Sequence, residues 1–142
     1  MKRVLSIIAL LFSLQYLGAC QNSGGNGQIK ESIPVDQFEK KLAGTPGAQL
    51  VDVRSSGEFT EGHLAGAANM NINDDGYKDK FNTLDKNKPV FVYCLSGGRS
   101  GRAANIMQEM GFKEVYNMAG GIMKWESAGK PIEQVTMFVR HL

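Results

Sequence analysis

Apolar residues from Ile29 to Pro131 arrive in two patterns, one at helical spacing and one in short continuous runs. In "IPVDQFEKKLAGTPG", Val35, Phe38 and Leu42 share a helical face, with Pro34 suited to the helix start and Gly44 and Pro46 to its end. "AQLVDVR" predicts a short buried strand, bounded by Pro46-Gly47 and by Ser55-Ser56-Gly57. "AANMNI" carries a fainter strand pattern, and "DGYKDKFNTLD" sets Tyr77, Phe81 and Leu84 on one helical face. "KPVFVYC" is apolar throughout, as a central strand covered on both faces would be. A helix marked by Ala103, Ala104, Ile106, Met107 and Met110 follows, stopped by Gly111. "EVYNM" then predicts a strand and "IMKWESAG" a short helix, while the tail "EQVTMFVRHL" fits a strand or a helix equally.

Strands separated by helices of this length predict an α/β fold, because parallel neighbours need crossover connections. The expected form is a small doubly wound sheet, mostly parallel, with helices on both faces. No internal repeat is present.

The first twenty residues read differently. Lys2 and Arg3 precede a mostly apolar run from Val4 to Leu17, and small residues lead to Cys20. That order is the grammar of a signal peptide, and the run is short for a membrane-spanning helix. Leu17-Gly18-Ala19-Cys20 resembles the bacterial lipobox, which implies cleavage before Cys20 and lipidation of its sulfur; an ordinary secretory signal is the alternative. "QNSGGNGQ" suits a flexible tether. The expected organisation is a lipoprotein signal peptide over 1–19, a tether over 20–28 and one domain over 29–142. The expected location is the cell envelope, lipid-anchored, with Gln21 after the cysteine pointing to the outer membrane facing the periplasm.

Cleavage before Cys20 removes 19 of 142 residues and leaves 123, enough for one domain that buries roughly two-thirds of its unfolded surface. The removed segment holds two of the 16 basic residues and no acid, leaving 14 basic against 14 acidic. That balance, with no lysine-arginine run, gives no sign of a nucleic-acid partner, and none is expected.

Candidate chemistry concentrates at Cys94, which ends the central strand. If Cys20 carries lipid, Cys94 has no disulfide partner in the chain, and a lone exported thiol needs deep burial or a chemical task. It is followed by Leu95-Ser96-Gly97-Gly98-Arg99-Ser100, where two glycines can turn backbone amides inward and a helix then begins. Amide donors, the helix N-terminus and Arg99 would favour the thiolate of Cys94, making it a candidate nucleophile. The plain alternative is a small core cysteine before a tight turn.

At these residues the chain resembles the rhodanese sulfurtransferase family. Cys94 to Ser100 resembles its active loop, with four residues between cysteine and arginine. "VDVRSSGEFTEGHLAGAANMNI" is similar to its upstream signature through Asp52, Arg54, Glu58, Gly62, His63, Gly66 and Ala67. "NMAGGIMKWESAGKPIE" is similar to its terminal signature through Gly120, Gly121, Trp125, Gly129 and Pro131. The resemblance implies that Cys94 takes a sulfane sulfur from a small donor such as thiosulfate, forms a persulfide, and passes the sulfur to a thiol, cyanide or protein acceptor. Leu95 to Ser100 would bind the persulfide, Arg99 would close the loop or offset charge, and Asp52 and Arg54 would support the strand end. No cofactor and no metal is implied, and no cysteine-histidine cluster has zinc spacing.

Other candidates carry plainer readings. His63 suits a turn-forming contact, His141 lies in the tail, Arg102 suits a solvated helix surface, and Met70, Met107, Met110 and Met118 suit the core. Two rivals remain. A cysteine phosphatase or arsenate reductase would hold phosphate in a loop one residue longer. A binding or thiol-redox module would use the fold without turnover.

Overall fold

The computed structural model describes residues 27–135. The segment expected to be a signal peptide, Cys20 and residues 136–142 of the tail lie outside the described residues. Five strands, β1 (Ile29–Ile33), β2 (Gln49–Asp52), β3 (Ala68–Asn69), β4 (Val90–Tyr93) and β5 (Glu114–Met118), form one sheet in the order β1-β5-β4-β2-β3. Every pairing is parallel. Helices α1 (Val35–Ala43), α2 (Ser56–Glu61), α3 (Tyr77–Asn82), α4 (Gly98–Glu109) and α5 (Gly121–Ser127) connect them. The α/β class with a doubly covered parallel sheet is therefore as the pattern predicts.

The apolar runs explain the layering. All four residues of β4 are buried, because the central strand is covered on both faces. Side chains alternate across the sheet, so Val90 and Val92 join Val51, Val115, Phe81, Ala103 and Met107 in the core beneath α3 and α4. Phe91 and Tyr93 face the other way, into a second core with Phe38 of α1 and Ile122 and Trp125 of α5. Phe38 meets Phe91 edge-to-face at 5.3 Å between ring centroids.

Two elements differ from the expectation. Strand β1 precedes α1, where the pattern placed the helix first; only Ile33 of its five residues is buried. An edge strand exposed on most of its length leaves no apolar alternation to read. The upstream segment also folds a helix, α2, that has no buried residue and hence no apolar stripe. Gln28, expected from the sequence to be the last residue of a tether, packs on the folded unit: its amide nitrogen donates to the carbonyls of Gln108 and Phe112 at 3.0 and 3.1 Å. At the other end, His63 and Glu133 pair as an isolated antiparallel bridge.

Candidate active site

Cys94 follows the last residue of β4, at the carboxyl edge of the sheet where strand-to-helix loops gather. Its side chain is turned into the loop that follows, and the residue is 1% exposed. The backbone N–H of Gly97 donates to Sγ at 3.1 Å, and Ser100 Oγ donates at 3.3 Å. Burial pushes the thiol pKa up, but hydrogen bonds from the Ser100 hydroxyl and from the N–H groups of Ser100, Gly97 and Ser96 outweigh it, so the net shift is downward. The loop therefore favours the thiolate.

Glycine geometry makes that ring possible. Gly97 caps α4 with φ +98°, a left-handed conformation that suits glycine, and a Cβ there would stand 3.2 Å from the Gly120 nitrogen. A second helix grips the loop from behind. The N–H groups of Ile122 and Met123, in the first turn of α5, donate to the carbonyls of Cys94 and Leu95 at 2.9 and 3.1 Å. So close an approach excludes a side chain at Gly121, whose Cβ would lie 2.4 Å from the Leu95 oxygen.

The loop members divide by role. Leu95, Ser96 and Gly98 are exposed on its outer side, whereas Ser100 is fully buried against the sulfur. Arg99 reaches across to α2: its two terminal nitrogens donate to the two Glu58 oxygens at 2.8 and 2.6 Å. Glu58 also completes a capping box with Ser55, accepting from the Ser55 N–H and hydroxyl. Hydrogen bonds from Arg99, opposed by partial burial and reinforced by Ser55, hold the Glu58 carboxyl at about 2. Arg102 lies apart, on Asn73 at the surface.

Asp52 and Arg54 form a buried ion pair beneath the loops, with Arg54 Nη2 2.6 Å from Asp52 Oδ2. The same nitrogen donates to the Gly62 carbonyl at 2.6 Å. The carboxylate and the guanidinium thus satisfy each other and fix the turn after α2. His63 stacks on Phe59 and its Nδ1 lies 2.9 Å from the Phe59 carbonyl, so it serves the turn. Among the described methionines, Met70, Met107 and Met118 are buried in the two cores and Met110 packs against the first.

From the sequence, Cys94 heads the loop Leu95 to Ser100 and Asp52 and Arg54 support the strand end; that Asp52 and Arg54 pair with each other is visible only in the fold. The sequence did not assign Glu58 a partner, nor Asn117, whose amide reaches the loop at Gly97. The capping-box spacing from Ser55 to Glu58 was the available signal for α2; nothing in the sequence announced Asn117.

Residues 34–128 match the family described as Rhodanese-like domain. The chain belongs to the rhodanese-like family. It is 39% identical over 98 residues to the Bacillus subtilis "Uncharacterized protein YqhL", covering 69% of this chain and 74% of that protein. It is 36% identical over 104 residues to the "Putative sulfurtransferase YtwF" of the same organism, covering 73% of this chain and 97% of YtwF. With the "Thiosulfate sulfurtransferase GlpE" of Shewanella oneidensis it shares 35% identity over 80 residues, 56% of this chain and 77% of GlpE. Among solved structures, a rhodanese-like domain protein from Staphylococcus aureus superposes with a TM-score of 0.64 at 27% identity, covering 75% of this chain and 99% of that one. The polysulfide-sulfur transferase from Wolinella succinogenes gives 0.62 at 27%, covering 82% and 85%. At the level of the family, the rhodanese-like domain is a sulfur-transfer enzyme scaffold.

Proposed function

We propose that this rhodanese-like domain is a sulfurtransferase in which Cys94 carries the sulfur. The observation that carries the reading is the Cys94 sulfur, lowered in pKa by hydrogen bonds from the loop that encloses it. In the first half-reaction the Cys94 thiolate attacks the outer sulfur of a donor such as thiosulfate. A new S–S bond forms, the bond between that sulfur and the sulfite group breaks, and sulfite leaves with the electron pair. In the second, a thiolate or cyanide attacks the outer sulfur of the persulfide and Cys94 leaves as thiolate. No external oxidant or reductant is consumed.

The loop geometry supports both steps. The N–H groups of Ser96, Gly97 and Ser100, which already face the Cys94 sulfur, stand ready for negative charge on the outer sulfur, and the N-terminus of α4 adds its dipole. Because Cys94 is so deeply set, a substrate meets it with a slender terminal sulfur rather than with bulk. A cleft of about 320 Å3 lies beside Leu95, outside the ring, walled by Arg54, Ile122 and Ile132 and by the carboxylates of Glu58, Glu61 and Glu126. The names of YtwF and GlpE support the reaction class; thiosulfate, polysulfide and protein persulfides all present the required sulfur.

Arg99, with its fork committed to Glu58, braces the loop instead of clamping a tetrahedral anion, which favours sulfur over phosphate as cargo. The lipobox-like ending at Cys20 supports a second element of the proposal, a lipid-anchored domain at the cell envelope. Two assays test these readings. Thiosulfate turnover with cyanide or a thiol acceptor should vanish in Cys94→Ser, and equal turnover in that variant would remove the nucleophile assignment. Full-length protein expressed in bacteria should partition with membranes and lose that partition in Cys20→Ala; palmitate labelling unchanged in the variant would contradict the anchor.

A further inference from the structure

Asn117 sits where the sheet calls for an apolar residue. It lies in β5 between Ser32 of β1 and Val92 of β4, which the parallel register places on the same face. Its neighbours on that face, Val92 and Val115, belong to the core beneath α4. Asn117 is 6% exposed, and its side-chain oxygen has no hydrogen-bond partner. A buried amide with one orphaned end costs stability that a valine there would not, so the end that is used must be accounted for.

The used end is the nitrogen. Nδ2 donates to Ser32 Oγ at 3.0 Å and to the Gly97 carbonyl at 3.4 Å. Ser32 can donate or accept, but a carbonyl only accepts, so Gly97 decides which end of the amide faces the loop. The Gly101 N–H also donates to the Gly97 carbonyl, at 3.0 Å. Gly101 packs over the amide: a Cβ there would lie 3.7 Å from Nδ2, an ordinary contact distance.

Gly97 is thus held from two sides. Its carbonyl is anchored toward the sheet and α4, while its N–H points at Cys94 Sγ. A glycine in the left-handed region has wide freedom about φ and ψ, and no side chain of its own to limit it. We infer that Asn117 is a positioning residue for sulfur transfer: by pinning the Gly97 carbonyl it holds the Gly97 N–H on the Cys94 sulfur. The inference rests on Cys94 being the reacting thiol and adds a residue from a different strand to its cradle.

The test is the pH dependence of Cys94 alkylation by iodoacetamide, which reads the thiol directly and needs no sulfur-transfer activity. In Asn117→Val, shown to be folded by circular dichroism, the midpoint should rise by about half a pH unit or more, the scale of losing one well-placed donor. Thiosulfate turnover at neutral pH should fall several-fold, with recovery at higher pH where the thiolate is restored by titration. Ser32→Ala, which removes the other partner and leaves the Gly97 bond, should keep the parent midpoint. Should the valine variant fail to fold, Asn117→Ser, too short to reach Gly97, carries the same expectation. A midpoint equal to the parent's in a folded Asn117 variant overturns the inference. So does an equal rise in Ser32→Ala, which would assign the effect to loosening between β1 and β5. An unchanged midpoint would count against Asn117 alone; absent turnover with a shifted midpoint would count against the proposed reaction alone.

Discussion

Arg99 and Glu58, forty-one residues apart in the chain, meet in a two-pronged ion pair that ties the far end of the cysteine loop to the capping box of α2. The consequence is that the loop's shape depends on a helix with no buried residue, held by its polar contacts and by the stacking of Phe59 on His63. Glu58→Gln should therefore loosen the loop more than it loosens the fold. The pair is partly exposed, so the expected stability loss is only about 1 kcal/mol, while turnover falls further. Chemical denaturation and a turnover assay on the same preparation separate the two effects.

The same pair predicts a pH window. Glu58 is held at about 2 instead of 4.5, and a depressed carboxylate stabilises the fold above its unfolded pKa and ceases to as pH falls through the folded value. The stability advantage of the parent over Glu58→Gln should be complete above about 4.5 and gone near 2. Paired melts across that range check it; an advantage that persists at the acid end contradicts the assignment.

Among the described residues Ser100 is the one side-chain donor to the Cys94 sulfur, and it is fully buried. Ser100→Ala should raise the thiol pKa by roughly one unit, the scale of one hydrogen bond to a charged group. Alkylation rates followed against pH give the value. Rates unchanged from the parent would show that the backbone alone sets the thiolate.

Two glycines in the same region should respond in opposite ways. Gly121→Ala drives a Cβ into the Leu95 and Cys94 carbonyls from a backbone with φ +60°, and should cost about 3 kcal/mol or more and most of the activity. Gly98→Ala meets nothing within 4 Å and should be tolerated in stability. Thermal melts of the two variants side by side decide the point.

Beneath the loop, Asp52→Asn would leave Arg54 buried without its counter-charge. Breaking a buried pair from one side costs about 3–5 kcal/mol, and the Gly62 turn should loosen with it. Urea denaturation measures the first and activity the second.

What the sequence disclosed follows from where its signal lay. Strand β4 announced itself because four consecutive apolar residues are buried on both faces, and Cys94 drew notice because a glycine turn follows it. Strand β1 and helix α2 bury almost nothing, so apolar periodicity passed over them; hydrogen bonding and a capping box make them. Glu58 was visible as part of a signature, but its grip on Arg99 requires the fold to bring α2 to the loop. Asn117 looked like one polar residue in an apolar strand. Only the register that sets it beside Ser32 and under Gly101 gives it a role.

The central claim is that Cys94 carries the sulfur. Intact-mass analysis of the protein after incubation with thiosulfate, polysulfide or a low-molecular-weight persulfide tests it most directly. The account predicts the mass of one added sulfur atom with at least one of these donors, located on the peptide containing Cys94, discharged by cyanide, and absent from Cys94→Ser. A protein that stays unmodified with every donor, or a Cys94→Ser variant that takes up the same mass, would contradict it.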